Sequence, residues 1–467
     1  MASVSPLLAR IKSDFQQYLP HALIESLCRA AGHRWRWRKL DPVSTIYLFV
    51  LQMLHCNTAI RHLHHLAKVP INAAAYCKAR MRLPLVVLQQ LLTRSCATLL
   101  EALTKEAGKG QTHWHGHRTL LVDGTGTIAP DSKALRKVFP QPCGQSKGCG
   151  FPVPKILGLF DAITGLVFEF KAFSLFVNEH SRVWQLHPLL AKGDLLVADC
   201  GFCSFSHMAL LWGRGVLALF RKPKCQIVSF RPHRKAHERR GGAKARLSQK
   251  GRPRSVFVRR LGKHDQLVRW LRPTYSQGPK WLTREQFEML PKKLLVRELR
   301  YRIVEKGRRT REVTVVSTLL DEKKYSKEAV AQLYGLRWRV ETHWHQLKTL
   351  LRMEKLKCQS EAGILKELVM YALVYNLIHA LMMRAAIRQG VEVERISFID
   401  ALRWLICATP GEELADLLIN PTRPGRYEPR LVKGARRSYG KMRFPRQRMR
   451  RPTITTAKLA QKSRRLK

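Results

Sequence analysis

Gly193-Asp194-Leu195-Leu196-Val197-Ala198-Asp199 is a short apolar run closed by a carboxylate, and it reads as a buried strand that delivers Asp199 at its carboxyl end. Upstream, Thr119-Leu120-Leu121-Val122-Asp123 repeats the form and delivers Asp123. A lone aspartate in such a place is most often a turn or cap residue. Two of them carry more weight together, because α/β sheets hold ligands beyond the carboxyl ends of their strands. Further strand-like runs at Ile156–Phe160, Leu166–Phe173 and Gly215–Phe220, with helical stretches at about 179–191 and 204–213, predict a mixed α/β sheet.

On the amino-terminal side the chain reads as helical. Asp41-Pro42 is an N-cap followed by proline at the first helical position, and Val43 to His55 then presents a broad apolar face. Shorter helices are predicted around Ala59 to Ala67 and after Asn72, and a long one from Pro84 to about Leu103. The cluster Arg34-Trp35-Arg36-Trp37-Arg38-Lys39 suits contact with phosphates and bases, and equally a solvated turn with packed tryptophans. On the carboxyl-terminal side, Arg221 to about Leu320 is basic at its start and strand-like at Ser255–Arg260, Leu295–Val304 and Arg311–Thr318, which reads as an insertion. Helical periodicity returns from Ser326 to about Lys355, from Ile364 to Arg388 and from Ser397 to Ala408. The expected organisation is a helical amino-terminal domain over 1–110 whose basic cluster is a candidate nucleic-acid contact, a core in two parts over 111–220 and 321–390, an inserted basic β-rich domain over 221–320, a helical region over 391–428 and a basic tail over 429–467.

A third carboxylate stands in the spacing Tyr334-x2-Arg337-x3-Glu341-x6-Lys348. At about 100° per residue, offsets of 3, 7 and 14 put the four side chains within roughly 60° of one another on a helix. Facing water, that stripe would be an ordinary charged surface. Facing the two strand ends, it would be the wall of an active site.

The Tyr-x2-Arg-x3-Glu-x6-Lys spacing resembles the signature of the insertion-element-four family of bacterial transposases, DDE-type enzymes with a ribonuclease H-like core. Leu121-Val122-Asp123-Gly124-Thr125 is similar to that family's first-aspartate segment, and Gly193 to Phe202 to its second. Phe160-Asp161-x2-Thr164-Gly165, Ala79-Arg80-Met81-Arg82-Leu83-Pro84 and Glu367-Leu368-x3-Ala372-x3-Asn376-Leu377 extend the likeness over about residues 40 to 390. The resemblance implies a catalytic, metal-binding triad of Asp123, Asp199 and Glu341, with Tyr334, Arg337 and Lys348 as phosphate contacts. It also implies a mostly β insertion that holds hairpin or flipped-base DNA on an aromatic side chain. Trp270 and Trp281 are the candidates for that stacking, against the alternative that each is a core tryptophan. Cys200 stands where members of that family usually carry arginine.

The chemistry of the residues agrees with this implication. Three carboxylates without thiolate or imidazole favour hard divalent cations, Mg²⁺ with Mn²⁺ as a substitute, and two ions would serve an in-line displacement at phosphorus. The charge agrees as well: 85 Lys and Arg against 33 Asp and Glu give a formal +52, which calls for a polyanionic partner. The resemblance implies that this partner is double-stranded DNA, at the element ends and the target, with a homodimer acting on it. A hydrophobic fraction of 45% excludes a disordered chain. The most apolar stretch, Leu368 to Met383, contains Asn376 and His379 and reads as a buried helix rather than a membrane span. The first residues do not form a signal peptide, so a cytoplasmic, nucleoid-associated bacterial protein is expected.

Eleven cysteines lack disulfide-framework spacing and read as reduced thiols. Cys200-x2-Cys203 with Cys143-x5-Cys149 would make a loose zinc site, and buried thiols are the preferred reading. His113, His115, His117, His343 and His345 are expected at the surface or facing DNA rather than on a metal. No nucleotide-binding glycine loop occurs. The expected activity is cut-and-paste transposition, with metal-dependent cleavage at the element ends and transfer of 3′-hydroxyls into target DNA. The rivals are a structure-specific nuclease on the same core and an inactive DNA-binding relative.

Overall fold

The computed structural model describes residues 18–36, 39–67, 70–223, 228–231, 254–303, 311–408, 412–421 and 445. Trp37 and Arg38 of the Arg/Trp cluster, most of the basic start of the segment read as an insertion (224–227 and 232–253) and nearly all of the tail after Pro429 lie outside the described residues.

One nine-stranded sheet forms the frame among the described residues, in the order β3-β2-β1-β4-β5-β9-β8-β7-β6. Its strands are β1 (Thr119–Gly126), β2 (Pro154–Asp161), β3 (Val167–Ser174), β4 (Leu195–Ala198), β5 (Leu217–Arg221), β6 (Arg254–Gly262), β7 (Asp265–Leu271), β8 (Lys293–Ile303) and β9 (Arg311–Ser317). Strand β1 lies parallel to β4 and β4 parallel to β5, while β1–β2, β2–β3 and all pairs from β5 to β6 are antiparallel. The segment read as an insertion therefore does not form a sheet of its own. Strand β9 pairs with β5 through Phe220↔Val316, and β8, β7 and β6 follow in hairpin succession. Strand β7 had no sequence expectation, because the charged Asp265 and Arg269 interrupt its apolar alternation and Asp265 is neutralised only by Arg297 of β8.

Apolar side chains of alternating parity fill the two faces, as the period-2 geometry of strands requires. Leu121, Val197, Leu219, Leu299 and Val315 face one layer, and Leu120, Val122, Leu196, Phe220, Val268 and Val316 face the other. The first layer holds α1 (His21–Ala30), α2 (Pro42–Leu54), α5 (Leu85–Ala107) and the long helix α9 (Glu361–Gln389). The second holds α6 (Phe205–Gly213) and the residues around Trp270, Leu282 and Phe287. The stretch at about 179–191, expected to be helical, forms two 3₁₀ segments, Glu179–Ser181 and Val183–Leu189, the second containing Pro188.

Local chemistry accounts for the helix starts. Asp41 accepts from the Ser44 N–H at 2.7 Å and Asn72 from the Ala75 N–H at 2.9 Å, opening α2 and α4 (Ala73–Arg82); between them lies the short α3 (Leu63–Ala67). The Ala79 to Pro84 motif proves to be a joint. Arg80 lies 3.8 Å over the Phe49 ring and donates to Gln52 Oε1, while Lys366 Nζ of α9 caps the carbonyls of Arg80 and Met81 at 3.1 and 2.8 Å.

Helix α9 is long and apolar enough to cross a membrane by composition, yet 94% of its most apolar window is buried inside the protein. Its polar residues stitch it to the sheet. Asn376 donates to Val167 O at 2.8 Å and accepts from Val167 N at 2.7 Å, completing the hydrogen bonds of edge strand β3. Glu367 accepts the Lys357 and Cys358 N–H groups and the Asn57 amide. The Asp161-x2-Thr164-Gly165 motif is the β2–β3 turn: Asp161 accepts from Ile163 N, Thr164 N and Thr164 Oγ1, and Gly165 has φ +74° with His379 where a Cβ would stand.

Candidate active site

The parallel pairing of β1 with β4 ends at Val122↔Ala198, so the next residues on the two strands are Asp123 and Asp199. Neighbouring strands lie about 4.8 Å apart, which sets the two carboxylates side by side. They share parity with Leu121 and Val197, and so face the layer that contains α9. Asp123 does not end its strand as expected; β1 continues to Gly126 because β2 still pairs with it after β4 has stopped.

The third carboxylate arrives on a segment that is not one continuous helix. It runs as α7 (Lys327–Gly335), a 3₁₀ turn at Leu336–Trp338, α8 (Arg339–His345) and a π turn at Gln346–Leu350. The tightened and the widened turn depart from 3.6 residues per turn in opposite senses. Tyr334 and Lys348 reach the strand ends or a residue beside them, while Arg337 lies on Glu341. Tyr334 Oη donates to Asp199 Oδ1 at 3.4 Å. Lys348 Nζ donates to Thr125 Oγ1 at 3.1 Å, two residues beyond Asp123. Arg337 is buried, donates from Nη2 to Glu341 Oε1 at 3.2 Å and has its Cζ 4.3 Å from the Trp338 ring centroid. Its Nε is buried without a hydrogen-bond partner. Glu341 itself is half-exposed and held by Arg337, so the structure brings Asp123 and Asp199 together and leaves Glu341 on the guanidinium. Among the described residues no three His, Cys, Asp or Glu side chains converge closely enough to hold a metal ion.

Burial pushes the Asp123 carboxyl up to about 6; the Gly124 N–H and Arg337 work against that rise, and Glu179 and Asp199 add to it. Burial and Asp199 likewise hold the Tyr334 phenol protonated and able to donate.

Two neighbours of this site were missed by sequence reasoning. Arg221 ends β5 on the rung that continues Asp123 and Asp199, and its Nη1 stands 3.6 Å from Asp199 Oδ1. It supplies a guanidinium beside the second aspartate while Cys200, half-buried, has its thiol pushed up by burial and by Asp199 and stays neutral. Glu179 is the other: its carboxyl atoms lie 2.3 to 2.7 Å from where a Cβ on Gly124 would be, and Lys155 Nζ is 3.7 Å from it. Arg221 could have been found had the sheet order been known, since it follows an apolar run as Asp123 and Asp199 do. Glu179 comes from a 3₁₀ turn after β3, and nothing in its local sequence marks it.

Residues 114–377, more than half of the chain, match the family described as Transposase DDE domain. The chain belongs to this family. As a DDE transposase it is an enzyme of DNA cleavage and strand transfer, DNA is its partner, and members of the family use divalent metal ions. Transposase InsG for insertion sequence element IS4 from Escherichia coli (strain K12) is 22% identical over 383 residues, covering 78% of this chain and 77% of that protein. That relative agrees with the insertion-element-four resemblance. A solved structure, the piggyBac transposase synaptic complex with hairpin DNA, aligns with a TM-score of 0.40 at 10% identity, covering 86% of this chain and 79% of that one.

The remaining candidates of the transposase divide by exposure. Trp270 is fully buried and donates its indole N–H to Glu298 Oε1 at 3.2 Å, so it is a core residue and offers no face for a base. Trp281 is half-buried, with His207 stacked at 4.7 Å and Trp184 at 6.5 Å. His343, expected at the surface or facing DNA, is buried with Nδ1 2.9 Å from Tyr375 Oη, because this side of α8 packs on α9; His345 is exposed. His117 is tied to Gly193 O and Tyr325 Oη, both at 2.8 Å. Of the two cysteine pairs, Cys149 and Cys203 are buried, Cys200 is half-buried and Cys143 is exposed.

Proposed function

We propose that Asp123, Asp199 and Glu341 hold Mg²⁺, with Mn²⁺ as a substitute, and that Tyr334, Arg337 and Lys348 grip the DNA phosphate being cut and joined at the ends of an insertion sequence. The observation that carries this reading is the buried Arg337 guanidinium, paired with Glu341, opposing the rise of the Asp123 carboxyl by its charge, and holding one N–H unpartnered. A buried cation with an open donor is poised for an oxygen anion, and arginine presents its donors in a fork that suits phosphate.

The donors fit a hard divalent cation. They are oxygens only, and a buried aspartate whose carboxyl is raised by burial and by two neighbouring carboxylates recovers its charge beside a cation. When bound, such ions supply a Lewis acid for the attacking and leaving oxygens of an in-line displacement. To hold a cation together with the aspartates Glu341 would turn from Arg337, which would free the guanidinium for the phosphate. Tyr334 donates to Asp199 and fixes its orientation, Lys348 adds positive charge at the far side beside Thr125, and Arg221 steadies Asp199 from the β5 end. A ribonuclease H-like core, an amino-terminal helical layer that meets the element ends and a homodimer acting on two ends complete the reading, in a bacterial cytoplasm.

The test incubates purified protein and Mg²⁺ with linear DNA carrying the gene and its flanks, and compares wild type with Glu341→Gln. Breaks and joined products at the element ends should appear with wild type and vanish with the variant. Equal products from both would remove Glu341 from the site. Cutting without joining would favour a nuclease, and binding without cutting a DNA-binding regulator.

A further inference from the structure

A rung of the sheet runs Asp123, Asp199, Arg221, Val315, Leu299, Asp265, Gly262 from β1 to β6. The first two positions are the catalytic aspartates, so the β6–β7 turn and the far half of β8 stand at the same edge of the sheet. Just beyond this rung lies a cavity of about 500 Å³ lined by Phe230, Arg231, Arg260, Lys263, His264 and Arg300. It is three to five strands from Asp199, which at about 4.8 Å per strand is roughly 15–25 Å. Arg300 and Arg260 have the parity opposite to the aspartates, so the cavity opens on the other face of the edge. A twist of about 20 to 25° per strand turns that part of the edge by roughly 60 to 120° relative to β4.

The cavity is built. Arg300 donates to Thr314 Oγ1 at 3.0 Å and to Val228 O at 3.4 Å, and its Cζ stands 5.1 Å from the Phe230 ring. His264 holds φ +58° in the turn, its carbonyl accepts from Arg300 N at 2.8 Å, and its ring lies 5.5 Å from Phe230. Arg260 donates to Gly262 O, and the Lys263 carbonyl accepts from Lys327 Nζ. Nearby cations differ: Arg259 is paired with Glu322, Arg297 with Asp265 and Arg302 with Glu312. Among the described residues no carboxylate lines the cavity, and its arginines and lysine have no acidic partner. Four cations converging without counter-charge repel one another until an anion joins them.

The geometry points to this cavity as a second phosphate site, which holds the backbone of a DNA strand roughly four to seven nucleotides from the scissile phosphate, taking 3.4 Å of helix axis per nucleotide. The inference rests on the transposase reading and adds a grip outside the chemical centre. Phosphate contacts position without reading sequence, so its effect is the same on element ends and on unrelated duplex.

The experiment measures binding of the full chain to an element-end duplex and to an unrelated duplex across a salt series. It compares wild type, Arg260→Ala/Lys263→Ala, and Lys292→Ala/Lys293→Ala, which removes the same charge from exposed residues at the opposite end of the sheet. The cavity variant should lower the slope of log K against log salt by about 2 on both duplexes, and the control should leave it unchanged. Equal effects of the two variants would reduce the cavity to bulk charge, and a loss confined to the element end would mean base reading; either overturns the proposal. Inorganic phosphate competing at low millimolar concentration would mark a free-anion site instead and also overturn it. Cleavage by saturating cavity variant, against its loss in Glu341→Gln, separates failure of this site from failure of the active-site reading.

Discussion

At residue scale the second aspartate is the informative position. Its sequence neighbour is Cys200, yet its cation comes from Arg221, twenty-two positions along the chain and one strand across the sheet. Arg221→Ala should lower strand cleavage on the order of tenfold to hundredfold at saturating DNA, because a charge contact to the carboxylate proposed as a metal ligand is lost. Cys200→Arg alone should be nearly silent, and the double variant should recover most of the loss; single-turnover cleavage reads all three, and an unaffected Arg221→Ala would sink the idea. Asp199, Asp123 and the Tyr-Arg-Glu-Lys spacing were legible because each sits in a local pattern of apolar run or helical period. Arg221 and Glu179 were not, since their part in the site depends on which strands are neighbours.

At element scale the segment bearing Glu341 is fastened to α9 by buried neutral groups. His379 Nε2 meets Gln346 Oε1 at 2.9 Å, Tyr375 Oη donates to the same oxygen at 2.8 Å, and His343 Nδ1 meets Tyr375 Oη at 2.9 Å. Burial pushes His379 down from 6.5 to about 4. The unfolded chain therefore binds the proton first. This stability is fully present above about pH 6.5 and is lost as pH falls toward 4, by roughly 3 kcal/mol at the full shift. Unfolding midpoints measured from pH 7.5 to 4.5 should fall with pH, and His379→Gln should flatten the decline; parallel curves would show that the acid sensitivity lies elsewhere. The helical period announced this segment, but the 3₁₀ and π turns that aim its side chains were invisible, because they answer to packing against α9 and β1.

At the scale of the whole molecule, one apolar core runs from Tyr18 of the amino-terminal layer through β1 and β4 to Leu417. Polar ties cross the same boundary, Arg384 to Glu106 at 3.0 Å and to Tyr18 Oη at 2.6 Å, and Lys366 to the end of α4. The helical layer and the catalytic sheet should therefore melt together. Calorimetry of the full chain without DNA should give one transition for residues of both layers, and a separate early transition of the amino-terminal helices would contradict it.

The sequence by itself determined the candidates for the chemistry: two strand-borne aspartates, a glutamate in a spaced basic stripe, and a charge of +52 that demands a polyanion. Those depend on residue type and local period, which a chain carries wherever it folds. The tertiary structure decided what depends on register. It joined the supposed insertion to the core sheet, buried Trp270 against Glu298, set Arg221 beside Asp199, and placed the β6–β7 cavity on the edge that carries the aspartates. Strand order is fixed by the packing of both faces at once, and no window of sequence contains it.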